Sequence, residues 1–224
     1  VDGSNNVRIK DNTIFDVGID GIHANNIGGN GLYDGSALII KGNEIDYAGD
    51  DGIEVLDSGK ALIKNNNIAY VGYDSYYYDG YFGTVLNNGD GIHVNNVFGF
   101  DGDHDIKIVD NTIHQTGDDG IDVGNSGRTL ISGNNISDAG VGGESEEGPY
   151  YGYGYGDEHG ADGIFVHNSG NGLIEMAALD SLEGPGYYGE GYHGYSVNII
   201  DNNINATGDD GIEVINSGST YVAN

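Results

Sequence analysis

Short apolar runs recur along this chain at a near-constant interval, and the polar residues between them recur with them. Residues 197–218 read VNIIDNNINATGDDGIEVINSG, residues 106–127 read IKIVDNTIHQTGDDGIDVGNSG, and residues 37–59 read ALIIKGNEIDYAGDDGIEVLDSG. Three further copies carry insertions. Aligning all six gives columns. Ile9, Ile40, Ile63, Ile108, Ile131 and Ile199 form one, and Ile14, Ile45, Ile68, Ile113, Ile136 and Ile204 a second. An Asp-Gly-Ile-x-Val segment supplies two more: Ile22, Ile53, Ile92, Ile121, Ile164 and Ile212, then Ala24, Val55, Val94, Val123, Val166 and Val214. The Ile-x-Val spacing is the period-two signal of a β-strand, and no helical i, i+3, i+4 stripe is present.

A strand–turn unit of this size cannot bury its own apolar face. Stacking coil on coil buries the Ile and Val columns in one continuous core, with neighbouring coils about 4.8 Å apart. The pattern therefore predicts an all-β parallel β-helix, a single solenoid segment over residues 1–224. Its six coils start near residues 7, 38, 61, 106, 129 and 197. An Asn column (Asn12, Asn43, Asn66, Asn111, Asn134 and Asn202) is expected to form a ladder of stacked amides that also bond turn backbone. Residues 219–224 align with residues 60–65, the start of another coil, and no capping element is evident at either end. The expectation is axial continuation, through more sequence or by head-to-tail stacking of identical chains.

Insertions at 27–36, 73–88, 97–105, 141–161 and 171–196 all flank the Asp-Gly-Ile strand of alternate coils, and they hold most of the 17 Tyr. Tyr offers flat area and a hydroxyl at low entropic cost, which suits sugars or protein partners. The candidate binding face is Tyr76, Tyr77, Tyr78, Tyr151, Tyr153, Tyr155, Tyr187 and Tyr188 with His23, His93, Phe165 and His167. The alternative is that these Tyr pin the loops to the coil exterior. His23, His93 and Phe165 share one outward position, so a stacked His pair beside Asp is a candidate for metal or acid–base work. Exposed strand histidines without a role are the competing account.

Charge narrows the partners. The formal net charge is −29, which disfavours nucleic acid and anionic membrane surfaces. No apolar run approaches the roughly 18 residues of a membrane span. Cys is absent, which excludes disulfides and thiolate metal sites. The acids stack in the repeat: Asp20, Asp51, Asp90, Asp119, Asp162 and Asp210, with Asp50, Asp118 and Asp209 beside them in Gly-Asp-Asp-Gly. An Asx-type turn before Gly is one account of that column. Calcium held by Asp50, Asp51, Asp118, Asp119, Asp209 and Asp210 is the other, since Ca²⁺ takes about six to eight oxygens.

The Asp-Gly-Ile-x-Val and Asn-x-x-Ile columns resemble the right-handed parallel β-helix superfamily, which includes pectate lyases, polygalacturonases, alginate epimerases and NosD-like repeat proteins. Phe98-Gly99-Phe100-Asp101-Gly102-Asp103-His104 is similar to the Tyr-Gly-Phe-Asp-Pro-His-Glu segment of mannuronan C-5 epimerases. Phe98 stands for the Tyr, Gly102 for the Pro, His104 is displaced by one residue, and Asp101 matches. The resemblance implies the fold and, as one option, a uronate lyase or C-5 epimerase module. No catalytic residue is singled out, because Gly-Asp-Asp recurs in three coils and the chain holds only 7 Lys and Arg to neutralise a uronate. The favoured expectation is a structural or adhesive solenoid segment of an extracellular surface, matrix or filament protein, with polysaccharide as a candidate partner.

Overall fold

The computed structural model describes residues 1–28, 38–78, 81–86, 89–99, 105–140, 161–169 and 196–224. Among them are three parallel sheets, each visited once per coil. The first holds Arg8–Lys10, Leu38–Lys41, Ala61–Lys64, Ile106–Val109, Thr129–Ser132, Ser196–Ile200 and Ser219–Ala223. The second holds Thr13–Val17, Glu44–Ala48, Asn67–Val71, Thr112–Thr116, Asn135–Ala139 and Asn203–Thr207. The third holds Ile22–Asn25, Ile53–Leu56, Ile92–Asn95, Ile121–Gly124, Ile164–His167 and Ile212–Ile215. The seventh strand of the first sheet is the coil start expected at residues 219–224, and Val222 pairs with Ile199.

The columns are in register. Ile53, Ile92 and Ile121 are direct strand partners and fully buried. Ile40, Ile63 and Ile108 do the same in the first sheet, and Ile45, Ile68 and Ile113 in the second. Burial falls toward both ends, where Ile9, Ile14, Ile204, Ile212 and Val214 are partly exposed. The Gly after each column Asp is fixed by packing. A Cβ on Gly91 would collide with the Ile113 side chain and the Gly120 carbonyl of the next coil.

Three left-handed corners bend each coil into a closed turn. The first is Asp11, Gly42, Asn65, Asp110, Gly133 and Asp201, and the third is Asn26, Asp57, Asn96, Asn125, Asn168 and Asn216. These are residue types that tolerate positive φ. The second interrupts the second-sheet strand at Asp16, Tyr47, Tyr70, Gln115, Asp138 and Ala206, with φ of 55–59°.

Segment 73–88, expected as a loop, is instead largely a β-hairpin: Tyr73–Tyr78 pairs antiparallel with Tyr81–Leu86. The aromatic content explains it, because Tyr and Phe favour strands, and the two residues between the strands in sequence are Asp-Gly, the pair preferred in two-residue hairpin connections.

The Asn ladder runs through every coil. Asn111 Oδ1 accepts the Asn66 backbone N–H at 2.9 Å and its Nδ2 at 3.0 Å. Asn111 Nδ2 donates to Asn134 Oδ1 at 3.0 Å and to the Ile63 carbonyl at 3.1 Å. Asn111 is 1% exposed, so truncation strands several buried partners. Asn111→Ala is expected to lower unfolding free energy by about 2–4 kcal/mol in denaturant titration. Asn203→Ala, on the exposed second-sheet face, should cost under about 1 kcal/mol. Equal losses would deny the ladder its role.

Candidate functional site

The Asp column builds a second ladder beside the third sheet. The backbone N–H of Asp51, Asp90, Asp119, Asp162 and Asp210 each donates to Oδ1 of the Asp one coil earlier, at 3.3, 2.8, 2.9, 2.6 and 2.8 Å. These bonds join neighbouring coils, which corrects the expectation of a local Asx turn. The backbone spacing places each amide beside the carboxylate of the previous coil. The carboxylates are also buried: Asp51, Asp90, Asp119 and Asp162 are all under 9% exposed. Burial pushes Asp119 up to about 9 and Asp162 up to about 6, each opposed by the amide it accepts. Asp90, flanked by Asp51 and Asp119, is raised well above the carboxylate range by burial first and those neighbours second.

The outward face of the third sheet carries a row in which rings and acids alternate. Reading down the register it is His23, Glu54, His93, Asp122, Phe165 and Glu213. His23 Nδ1 contacts Glu54 Oε2 and lies 3.2 Å from Asp20 Oδ2. His93 Nδ1 lies 3.3 Å from Asp51 Oδ2, and its Nε2 lies 3.6 Å from Asp122 Oδ2. His167 Nε2 reaches Asp122 Oδ1 at 3.5 Å from the other side. Burial works against a charged His93 ring, but the Asp51 hydrogen bond and the Asp122 and Glu54 carboxylates outweigh it and raise it to about 9. Below this row a cleft of about 270 Å³ is lined by Asp90, Asp118, Asp119, Asp122, Phe165 and His167, among others. Gly124 makes room for the His167 ring, which a Cβ there would meet.

A profile of the right-handed β-helix region matches residues 1–143 and 84–224. The chain belongs to the right-handed β-helix family. Comparison with curated proteins and with solved structures finds no match.

Within this β-helix the sequence-predicted site residues divide. His23, His93, Phe165 and His167 do share the third-sheet face. His23 and His93 are not a stacked pair, however, because Glu54 of the intervening coil lies between them. Only the insertion-bearing coils put an aromatic ring or His at that position, and the compact coil fills it with an acid. Phe165 points outward yet is only 6% exposed, stacked on the His167 ring at 5.0 Å. Tyr76, Tyr77 and Tyr78 lie on the first hairpin strand, and their side chains are outside the described residues. Tyr151, Tyr153, Tyr155, Tyr187 and Tyr188 lie outside the described residues altogether. Of the six aspartates considered for calcium, Asp51 joins a group of metal-capable side chains, with Glu54 and His93. Among the described residues the other five, Asp50, Asp118, Asp119, Asp209 and Asp210, fall in no such group. Glu54 and Asp122 were the functional side chains that sequence reasoning missed. Their signal was the register itself, read coil by coil rather than within like coils.

Cationic side chains are elsewhere. Arg8, Lys10, Lys41, Lys64 and Lys107 sit in first-sheet strands, and Lys60 and Arg128 each immediately precede a strand of that sheet. The β-helix is thus acidic along the third sheet and carries its bases around the first.

The shifted ladder carboxylates make stability depend on pH. Asp119 and Asp162 keep a proton in the fold well above their ordinary value of 3.8, whereas the unfolded chain releases it near that value. The folded state binds more protons from about pH 4 to about pH 9, so this contribution to stability is full below that window and falls as pH rises through it. Thermal unfolding midpoints are expected to drop between about pH 5 and about pH 8. A midpoint that climbs over this span would mean the ladder carboxylates are ionised in the fold.

Proposed function

We propose that this β-helix is a stiff acidic scaffold segment of an extracellular surface, matrix or filament protein, with the third-sheet face as its contact surface. The observation that carries the proposal is the repetition of the Asp-Gly-Ile corner. Asp20, Asp51, Asp90, Asp119 and Asp162 all take the same bond from the next coil. In a lyase or hydrolase, a carboxylate pair does its work at one place. Here the carboxylates serve every coil alike, as the Ile and Asn columns do. The charge layout agrees with this role. A polyuronate laid on the third sheet meets carboxylates and no Lys or Arg of that sheet. Rods would extend along the axis, by further coils or by stacking of chains, since strand edges at an open coil offer unpaired N–H and C=O groups.

Calcium would add to this scaffold through Asp50, Asp118 and Asp209, which stand next to the ladder in Gly-Asp-Asp-Gly. Burial together with Asp51 and Asp20 already raises Asp50, so a cation there relieves repulsion. A calcium-loaded sample should melt higher than a chelator-treated one by several degrees. Coincident melting curves would exclude the calcium contribution.

A second function is favoured by one feature, the cleft beside Asp119, Asp122 and His167. The raised Asp119 carboxyl beside a second carboxylate side chain and an imidazole is an acid–base arrangement suited to a polysaccharide-active module. The two are separated by incubating the protein with alginate, pectate and neutral glucans, while following unsaturated-product absorbance, reducing ends and C5 proton exchange. The scaffold proposal expects no turnover and rod-like particles in electron micrographs. Turnover that disappears in Asp122→Asn would replace it with the enzymatic one.

A further inference from the structure

The outward face of the third sheet carries two side-chain groups whose His and Glu members take no part in the ladder. Asp20, His23 and Glu54 form one, and Asp51, Glu54 and His93 the other, with the ligand atoms of each within 4.8 Å of one another. We propose that these five residues form two adjoining sites for divalent transition-metal ions, joined by the Glu54 carboxylate.

Register creates the arrangement. His23, Glu54 and His93 are consecutive strand partners, so the carboxylate is held between two imidazoles about 4.8 Å from each backbone. Glu54 gives a different oxygen to each: Oε2 to His23 Nδ1, and Oε1 to His93 Nδ1 at 3.9 Å. The aspartates are aimed by the ladder. Asp20 Oδ1 accepts the Asp51 N–H at 3.3 Å, and Asp20 Oδ2 is presented to His23 Nδ1 at 3.2 Å. Asp51 Oδ1 accepts the Asp90 N–H at 2.8 Å, and Asp51 Oδ2 is presented to His93 Nδ1 at 3.3 Å. A tetrahedral ion with bonds of about 2.0–2.1 Å holds its ligand atoms about 3.3 Å apart, which is the spacing of both Asp–His pairs. Each group therefore offers one nitrogen and two carboxylate oxygens converging from one side, with a further position open to water.

Two observations point to a metal beyond the clustering of acids. First, the nitrogen facing the carboxylates is Nδ1 in both rings, while the far nitrogen of His93, Nε2, faces Asp122 Oδ2 at 3.6 Å. A carboxylate behind the second ring nitrogen is the usual support of a metal-ligating imidazole, because it fixes the proton there and frees the other nitrogen to bind. Second, the donor set is mixed. Imidazole with carboxylate suits zinc, cobalt, nickel or copper, whereas calcium prefers an all-oxygen shell. The sites thus favour a different class of ion from the Gly-Asp-Asp-Gly calcium proposal, although Asp51 belongs to one such motif, and they stand whether the β-helix is a scaffold or an enzyme.

The competing arrangement is a metal-free one, with each His protonated and ion-paired to the same carboxylates. Cobalt titration into metal-free protein distinguishes them. The expected result is visible d–d absorption saturating at up to two equivalents, displaced by zinc and not by an excess of calcium. Glu54→Gln should weaken both sites roughly tenfold or more, and Asp122→Asn the His93 site alone by about tenfold. His23→Ala combined with His93→Ala should abolish the bands while leaving the far-ultraviolet circular dichroism unchanged. Bands that persist in that double variant, or no bands with the parent chain at saturating cobalt, would overturn the proposal. Should the double variant fail to fold, calcium displacement and the Glu54→Gln titration still decide the matter.

Discussion

Everything in this molecule answers to one spacing, the roughly 4.8 Å from each coil to the next. Parallel strands cannot close their hydrogen bonds within a coil, so every sheet amide looks to its axial neighbour. Each side chain consequently sits beside whatever the adjacent coils place in the same column. A residue type survives at a column only if it tolerates itself, or a chosen partner, at that distance. Ile on Ile buries apolar area without orientation demands. Asn on Asn is better still, because the amide both donates and accepts, so Asn66, Asn111 and Asn134 satisfy one another with nothing left over. Asp on Asp is the hard case. An ionised carboxylate accepts only, and like charges at one coil spacing repel.

The chain handles that case in two ways. Along the buried column it gives each carboxylate a backbone N–H from the next coil and drives Asp90 and Asp119 toward the protonated form. On the exposed face of the third sheet it avoids self-stacking altogether. Glu54 separates His23 from His93, and Asp122 separates His93 from Phe165. Alternation there converts a repulsive row into a series of imidazole–carboxylate contacts. The same constraint that keeps the scaffold regular thus produces a face where imidazole and carboxylate side chains meet.

The columns were legible in sequence because they follow from the spacing directly. A residue that must match itself every 23 positions, as Ile40 and Ile63 do, leaves a periodic trace. The Asn ladder and the extra first-sheet strand at Ser219–Ala223 were readable for the same reason. The second corner was not. Tyr47, Tyr70, Gln115 and Ala206 give no turn signal, yet each adopts positive φ at a cost of about 1 kcal/mol. The stacked strands on both sides determine the backbone there, and Tyr47 and Tyr70 recover part of the cost by stacking at 4.8 Å. The candidate face was half legible. Its histidines stood out as rare residues in a repeated motif, while Glu54 and Asp122 were hidden among 36 acids. Rarity in composition identifies one partner of a contact, and only register identifies the other.

Charge segregation ties the scaffold to its surface. With the bases placed at the first sheet, the strands of the third carry acids and no Lys or Arg. A fully carboxylate face would repel a second such face, and an anionic polymer with it. Imidazoles inserted at alternate coils change what that face can hold. They lower its charge where His93 stays protonated, and they supply nitrogen donors where a cation takes the proton's place. Insertions adjoin third-sheet strands in sequence in the same alternate coils, and all three parallel sheets pass through those coils unbroken. Variation in coil length is thus confined to stretches between strands, where it does not break the axial bonds.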